Sequence, residues 1–219
     1  MAKIITLTTS KGGAGKSTLS RNLGAHWVNM GHRVAVIDAD PQGSIISRHN
    51  VEGALKKMIV VADPEETITN TINELRDKTD FLLIDTGGFR NKTTIRALVE
   101  TDLALIPLKP SADDVAGAVT THNLIEEINQ TPERAGRSIT YRMILTMTQQ
   151  GTIISKHVRA ELKEMGYLLI DSEMYHRVAY PEAAIAGLSP CILDPEGPAA
   201  RDIAAIVAEL NKVVFKKDI

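Results

Sequence analysis

A glycine-rich loop, set between an apolar run and a helical pattern, constrains the fold of this chain more than any other feature. The short β-branched run Lys3–Thr9 is typical of a buried strand and leads directly into Ser10-Lys-Gly-Gly-Ala-Gly-Lys-Ser-Thr18. Beyond the loop, apolar residues recur near the helical period until Gly31, at Leu19, Leu23, Trp27 and Met30. A strand, a glycine loop and a helix in this order bring backbone N–H groups and a helix N-terminus around phosphate oxygens. The sequence therefore predicts a phosphate-binding loop.

Two lysines and a hydroxyl give this loop its chemistry. Lys16 is placed to reach the β- and γ-phosphates of a nucleotide, and the Ser17 hydroxyl is placed to hold Mg²⁺. Small residues at positions 12–15 let the backbone approach the phosphates closely. The glycine that usually opens such a loop is replaced by Ser10, and a second lysine follows at Lys11.

Three aspartates stand where a nucleotide site needs acidic groups. Asp38 and Asp85 each end a buried apolar run, so we expect both at the carboxyl edge of a parallel sheet, where ligands bind. Asp85 is placed like the strand-end aspartate that holds Mg²⁺. Asp40 follows in a loop that contains Pro41 and Gly43, where its carboxylate is free to face the γ-phosphate and a water. A helix cap or a turn residue is the other interpretation of Asp38 and Asp40.

Strand-like runs and amphipathic stretches alternate along the chain. After the first strand, strand-like runs occupy residues 33–38, 81–85, 103–107, 141–145 and, more weakly, 167–170. Amphipathic stretches lie at 65–78, 91–100, 112–129 and 152–165, and loops are expected at 44–54 and 130–138. This alternation predicts a single α/β domain over residues 1–219, with a doubly wound, mostly parallel sheet and helices on both faces.

Composition excludes several classes of protein. With 219 residues, 43% hydrophobic and 24% charged, the chain is an ordinary globular one. Its net charge of −2 means that nucleic-acid binding would need a local patch. The single Cys191 excludes a disulfide framework and a four-cysteine metal site, and the histidines lack metal-ligand spacing. Without a secretory signal or a long apolar stretch, we expect a cytoplasmic protein.

These motifs together resemble those of the ParA/MinD ATPases, which are P-loop NTPases with a deviant Walker A motif. Lys11–Thr18 looks like that motif, Asp38-Ala-Asp-Pro-Gln42 like the family's first switch, and Phe81–Thr86 like its Walker B strand. The resemblance continues through the segments 101–111, 144–147 and 181–187. It therefore covers nearly the whole chain, with the motifs in the order of the family.

The resemblance implies a role for individual residues. Lys11 would reach phosphates on the partner's nucleotide across an ATP-dependent homodimer, and Asp40 would position or activate the attacking water. Lys11, Lys16 and Asp40 are then the catalytic group, while Ser17, Asp38 and Asp85 serve the Mg²⁺ shell. Contacts with ATP are implied for Lys11, Gly12, Gly13, Ala14, Gly15, Lys16, Ser17 and Thr18, and for Thr146 and Met147 at the adenine pocket.

One departure from the family concerns the segment after the Walker B strand. The family usually follows its Asp-Thr with two prolines, whereas this chain has Asp85-Thr-Gly-Gly88. Glycines remove the restriction that proline places on φ. A looser second switch is the expected consequence.

The last segment of the chain bears on whether such a protein binds DNA or membrane. Members of the ParA type bind DNA without sequence preference, whereas those of the MinD type bind membrane through a C-terminal amphipathic helix. Residues 202–214 predict a last helix with one apolar face, at Ile203, Ile206, Val207, Leu210, Val213 and Val214. This predicted helix has no basic residue before Lys212, although lysines follow in Val214-Phe-Lys-Lys217. Packing on the sheet is therefore favoured over membrane binding.

A basic helix face is the candidate DNA contact. Lys156, Arg159 and Lys163 share one face, opposite an apolar face made of Ile154, Val158, Leu162 and Met165. Such side chains can contact phosphates without reading bases, although an ordinary solvated face is the alternative. Arg177 is a second candidate.

The resemblance implies a Mg²⁺-dependent ATPase that dimerises on ATP and binds DNA nonspecifically in plasmid or chromosome partition. A centromere-binding or adaptor protein would stimulate its hydrolysis, and the protein would lie in the cytoplasm on the nucleoid. Because the first strand begins at Lys3, we expect no operator-specific domain before it. The alternatives are an ATPase that positions other cargo or recruits transfer DNA, a membrane-cycling regulator, and a scaffold that binds nucleotide without hydrolysing it.

Overall fold

The computed structural model describes residues 1–49, 53 and 55–214. In these residues the strands are β1 Lys3–Leu7, β2 Val34–Ala39, β3 Met58–Ala62, β4 Phe81–Thr86, β5 Leu103–Leu108, β6 Thr140–Thr148 and β7 Met174–Tyr175. They form one sheet in the order β3-β2-β4-β1-β5-β6-β7, in which every pair of neighbours is parallel. The helices are α1 Lys16–Asn29, α2 Ile68–Arg76, α3 Lys92–Glu100, α4 Ala112–Asn129, α5 Ile153–Glu164, α6 Ala179–Ile185, α7 Pro190–Leu193 and α8 Pro198–Val214.

Helices cover both faces of the sheet, as the alternation of segments predicts. Neighbouring residues of β1 point to opposite faces: Ile5 packs in a layer with α1, α7 and α8, whereas Ile4 packs in the layer below α2 and α3. The strands β2, β4 and β5 are buried along their whole length. Burial on both faces explains why these strands are continuous apolar runs in the sequence. The doubly wound α/β fold is confirmed.

Two strands at the margins of the sheet differ from the prediction. Met58–Ala62 is a strand that the sequence analysis did not identify, and it pairs with β2 as an edge of the sheet. The weak prediction of a strand at Tyr167–Ile170 is wrong, since Leu169 makes only an isolated bridge to Met143. The edge strand on that side is instead the two-residue β7.

Side-chain caps decide where several helices begin. The Asn91 side chain accepts from the Thr94 N–H at 2.7 Å and so starts α3, and Ser111 caps α4 in the same way. The stretch predicted to begin at Glu65 becomes helical only at Ile68, because the Asp63 carboxylate holds a turn before it. The predicted loops 44–54 and 130–138 each contain a short 3₁₀ turn, and residues 50–52 and 54 of the first lie outside the described residues.

The last helix packs on the sheet. It begins at Pro198, earlier than predicted, and so includes the basic Arg201. Its apolar face is in the core, with Ile203, Ile206 and Leu210 fully buried. Residues 215–217, which carry the lysines after Val214, lie outside the described residues. In the described part of the chain, no helix is both long enough and apolar enough to span a bilayer.

Candidate nucleotide site

The phosphate loop lies between β1 and α1, at the carboxyl edge of the sheet. Gly13 and Gly15 have φ values of 73° and 84°, which is the left-handed region that residues with a side chain rarely adopt. Helix α1 begins at Lys16 with no side-chain cap at Gly15. Its first N–H groups are therefore left to a ligand, and a helix N-terminus favours an anion.

Polar contacts from two other elements hold the loop in place. The Thr146 hydroxyl on β6 donates to the Ala14 carbonyl at 2.8 Å, and the Ser10 hydroxyl donates to the Gly117 carbonyl on α4 at 3.0 Å. The Ser10 N–H donates to the Thr121 hydroxyl, also at 3.0 Å. Thr146, predicted at the adenine pocket, is fully buried beneath the loop. Its hydroxyl thus supports the phosphate loop from below.

Asp38 and Asp85 lie side by side, because β2 and β4 are neighbours and pair these two residues in register. Asp38 is engaged by backbone: its Oδ2 accepts from the N–H groups of Ile45 and Ile46 at 2.8 and 3.0 Å. It thereby fixes the loop that follows β2. Its share in a Mg²⁺ shell stays a prediction.

Asp85 is fully buried at this edge. Among the described residues its carboxylate oxygens have no hydrogen bond of good geometry, and the Ser17 hydroxyl lies beside them. Burial raises the pKa of Asp85 to about 7, the Ser17 hydroxyl and Lys16 act against the rise, and Asp38 and Asp40 add to it. Burying an uncompensated carboxylate is costly. A divalent cation beside Ser17 would compensate it, so the residues present fit Mg²⁺.

Asp40 lies at the rim of the site, half-buried, with its Oδ1 accepting from the Gln42 N–H at 2.9 Å. The loop after β4 comes very close to it. A Cβ added to Gly87 would lie 2.9 Å from the Cα, Cγ and Oδ1 atoms of Asp40. The first glycine of Asp85-Thr-Gly-Gly88 is therefore the residue that lets the two switch-like loops touch.

A cavity of about 420 Å³ opens beside Ser17 and Thr18, at the start of α1. It is lined further by Arg21, Ser44, Arg48, Met147, Met174, Tyr175, His176, Arg177, Tyr180, Pro181, Ala184 and Ile185. Met147 has a φ of 53°, a conformation uncommon for a residue with a side chain, and such positions cluster at ligand sites. This mixed apolar and polar cavity next to the phosphate loop suits a base and a ribose.

Lys11 is exposed, near the start of the phosphate loop. Its side chain passes over α4 so closely that a Cβ on Gly117 would lie 2.7 Å from the Lys11 Cγ. In the described residues its ammonium group has no carboxylate within ion-pair distance. Lys16, by contrast, lies at the start of α1, close enough to Asp85 to act on its pKa.

Three of the four candidate DNA contacts are already paired with acids of the same chain. Arg159 bonds Glu173 at 2.8 Å, and Lys163 bonds Asp171 at 2.7 Å. Arg177 forms an ion pair with Asp202 at 2.5 Å and lines the cavity beside the phosphate loop. Lys156 is exposed.

The face of α5 opposite these basic residues is only partly buried. Val158 and Leu162 are in the core, whereas Ile154 and Met165 are about half exposed. The apolar face predicted for α5 is therefore buried only at its centre. Ile154 and Met165 line a groove between α4 and α5.

The sequence analysis missed two arginines at the site. Arg21 and Arg48 line the cavity, and the Arg21 guanidinium donates to the Ser44 carbonyl at 3.0 Å. Burial lowers the pKa of Arg21, while Asp85 and Asp38 act in the opposite direction. A signal was available for Arg21, because it follows Ser17 by one helical turn and shares its face of α1.

Comparison with known proteins agrees with this geometry. The sequence profile of the CobQ/CobB/MinD/ParA nucleotide-binding domain matches residues 5–191. The protein ParA of Rhizobium radiobacter is 29% identical over 81% of this chain and 80% of its own length. The maintenance of carboxysome distribution protein A of Halothiobacillus neapolitanus is 26% identical over 93% of this chain and 91% of its own length.

A solved structure repeats the fold. The septum site-determining protein MinD of Pyrococcus horikoshii, in complex with Mg-ADP, superposes with a TM-score of 0.76 at 18% identity, covering 100% of both chains. Because the profile spans most of the sequence and the fold agrees, this chain belongs to the CobQ/CobB/MinD/ParA family of nucleotide-binding domains.

Proposed function

We propose that this protein is a Mg²⁺-dependent ATPase that dimerises on ATP and binds DNA nonspecifically to partition a plasmid or a chromosome. One observation carries the ATPase: the fully buried carboxylate of Asp85 lies beside Ser17, at the start of the uncapped helix α1, where the Ser17 hydroxyl and Lys16 offset its burial only in part. A bound Mg²⁺ would neutralise that carboxylate and the phosphates facing it. Ser17 and Asp85 would hold the ion, with Asp38 behind them.

The protein's own residues would do the rest of the work. Lys16 and the N–H groups of the phosphate loop would bind the phosphates, and the cavity beside Ser17 and Thr18 would take the base. Asp40 would orient the attacking water and accept its proton, because it is the acid at the rim whose Oδ2 has no hydrogen bond among the described residues. The catalytic assignment of Asp40 thus rests on its position and its free oxygen.

Dimerisation would supply the second lysine. Lys11 is exposed, and within the described residues it has no ion-pair partner. Two nucleotides buried between subunits bring excess negative charge, which a cation from the opposite subunit can offset, as an arginine finger does. ATP would therefore hold two copies together, and hydrolysis would release them.

The relatives point to partition or to positioning. The name ParA supports a segregation role at 29% identity, and the carboxysome relative, which covers 93% of this chain, favours positioning of another cargo as a second candidate. In either case an adaptor or centromere-binding protein would stimulate hydrolysis, and the protein would act on the nucleoid in the cytoplasm. Membrane cycling is disfavoured because the apolar face of α8 is buried in the core.

A salt titration of binding to random-sequence duplex DNA tests this function. If ATP doubles the number of phosphate contacts by dimerisation, the slope of log affinity against log salt should be about −5 with ATP and about half that with ADP. Lys11→Ala should weaken the ATP-dependent binding of DNA, although Lys11 itself does not contact DNA. Light scattering should show fewer dimers. Equal slopes and affinities with ATP and ADP would refute the switch. ATP-dependent binding to anionic vesicles in place of DNA would favour the membrane alternative.

A further inference from the structure

The amino edge of the sheet holds a second cavity, of about 440 Å³. Strands β1, β5 and β6 begin beside it, and α8 ends over it with Val213 and Val214. The phosphate loop follows the other end of β1. A strand of five residues separates the two edges by roughly 15 Å. The second cavity is therefore separate from the nucleotide site.

Four basic side chains line this amino-edge cavity: Lys3, Arg134, Arg137 and Arg142. Lys3 and Arg142 precede Ile5 and Ile144 by two residues on their strands, so these two cations lie on the sheet face that α8 covers. Arg134 and Arg137 come from the turn before β6. The fold thus brings Lys3 of the first strand together with three arginines that are close to one another in the sequence.

These cations lack carboxylate partners, in contrast to those of α5. Within the residues that the structure describes, none of the four is within ion-pair distance of an acid. The guanidinium groups of Arg134 and Arg142 donate only to backbone carbonyls, those of Val99 and Tyr141.

Arg134 is the most constrained of the four cations. It is only 3% exposed, and among the residues that the structure describes its buried Nε has no hydrogen-bond partner. A buried donor without an acceptor costs about 1–3 kcal/mol, so an acceptor in the cavity would be stabilising.

The acids near the cavity leave a positive balance. Asp102 lines it, and its Oδ2 accepts from the Ile4 N–H at 2.9 Å. Glu100 acts on Arg134 from farther away and is itself paired with Arg76 at 3.6 Å. One lining carboxylate against four cations favours an anion, and arginine forks match the geometry of phosphate oxygens.

We propose that the amino-edge cavity binds a phosphate group, and that the ligand carrying it is the backbone of double-stranded DNA. The choice of DNA as the ligand rests on the proposed function, and the new element is the surface to which the DNA backbone binds. Contacts to phosphates alone give binding without sequence preference. The position opposite the phosphate loop leaves the nucleotide, Lys11 and Asp40 free to face a second subunit while DNA is bound.

Charge-reversal variants test the surface directly. Binding of fluorescein-labelled random-sequence duplex DNA would be measured with ATP for Arg137→Glu and Arg142→Glu, with Arg142→Gln as the milder change. The matched control is Lys57→Glu, which makes the same charge change at an exposed lysine before β3. We expect each cavity variant to weaken binding on the order of tenfold and to lower the salt slope by about two contacts, one from each subunit of the ATP-bound dimer, while the control stays within twofold. Equal DNA affinity of the cavity variants, the control and the wild-type protein would overturn the proposal.

A second measurement separates failure of this proposal from failure of the proposed function. In the Lys16→Ala background, where the phosphate loop lacks its lysine, tripolyphosphate should still raise the melting temperature. Adding Arg142→Glu should remove that rise, whereas adding Lys57→Glu should keep it. Wild-type protein that binds no DNA with either nucleotide would refute DNA as the ligand and the partition function together. A missing tripolyphosphate effect would refute the phosphate site itself.

Discussion

The two edges of the sheet each bury a charged side chain, an aspartate at the carboxyl edge and an arginine at the amino edge. At the carboxyl edge, Asp38, Asp40 and Asp85 lie beside the lysines and arginines of the phosphate site, and the Asp85 carboxylate is buried next to Ser17 and Lys16. At the amino edge, the basic residues line a cavity that has one lining carboxylate, and the Arg134 Nε is buried without a partner among the described residues. A bound cation would stabilise the Asp85 carboxylate, and a bound anion would stabilise the Arg134 guanidinium.

The two edges also differ in how they are built. Asp38 and Asp85 lie within β2 and β4, and Asp40 follows β2 by one residue, so the mutual position of the first two is set by the register of these strands. The basic residues come from the start of β1, the start of β6 and a turn between α4 and β6. Acids held by strands in register suit chemistry that needs accurate distances, whereas a cavity lined partly by a turn suits a backbone phosphate with no fixed register.

Replacing Asp40 should have the largest effect and should act on the carboxyl edge alone. Asp40→Asn removes the proton acceptor and should lower single-turnover ATP hydrolysis by about 10²–10⁴-fold while ATP binding persists. The ATP-bound dimer should accumulate in light scattering, with DNA binding retained. Asp77→Asn, an exposed acid after α2, is the matched control. Wild-type turnover in Asp40→Asn would exclude Asp40 from the reaction.

Neutralising Asp85 should have opposite effects on the metal-free and the Mg²⁺-loaded protein. The folded protein holds the Asp85 proton with a pKa of about 7, above the usual 3.8, so stability of the metal-free protein should fall as the pH rises between those values. Asp85→Asn should remove that fall and be more stable by about 1–3 kcal/mol at pH 8 in EDTA. Urea unfolding with and without Mg-ADP measures both. A variant that keeps the full Mg²⁺-dependent gain would contradict the assignment of Asp85 to the ion.

The sequence was enough to predict the carboxyl edge, because each of its residues belongs to a local pattern. Asp85 ends an apolar run, and Lys16 begins a helix after a glycine loop. The strand, the loop and the charged residue can therefore each be predicted from residues that are close together in the sequence. The pairing of Arg159 with Glu173 could not be read in this way, since the two residues are 14 positions apart and meet only through the turn before β7. The same holds for Lys3 and Arg142, whose meeting depends on the strand order.

The two edge strands of the sheet also could not be predicted from local sequence patterns. Residues 58–62 form a short edge strand in which Ile59 is 41% exposed, so the run lacks the continuous burial of β2 or β4. Strand β7 has two residues and is defined by its pairing with β6 alone. Strands this short carry too little periodicity to be identified before their partner is known.

Gly87 offers the finest test of the carboxyl edge, because it concerns distance and leaves charge unchanged. Its φ lies outside the left-handed region, so alanine is compatible with the backbone, yet the new Cβ would lie 2.9 Å from the backbone and carboxylate of Asp40. One of the two loops must then move by a few tenths of an ångström or more. We expect Gly87→Ala to lower the hydrolysis rate about tenfold, with ATP affinity unchanged, since small displacements of a reacting group are costly in rate. The control is Gly88→Ala, whose Cβ would contact the Asn91 amide and leave Asp40 untouched. We expect the hydrolysis rate of this control to be within twofold of wild type. Equal hydrolysis rates for the two variants in rapid-quench experiments would show that the position of Asp40 does not depend on contact between these loops. The distances between the acids of this edge would then be set by the strands β2 and β4 alone.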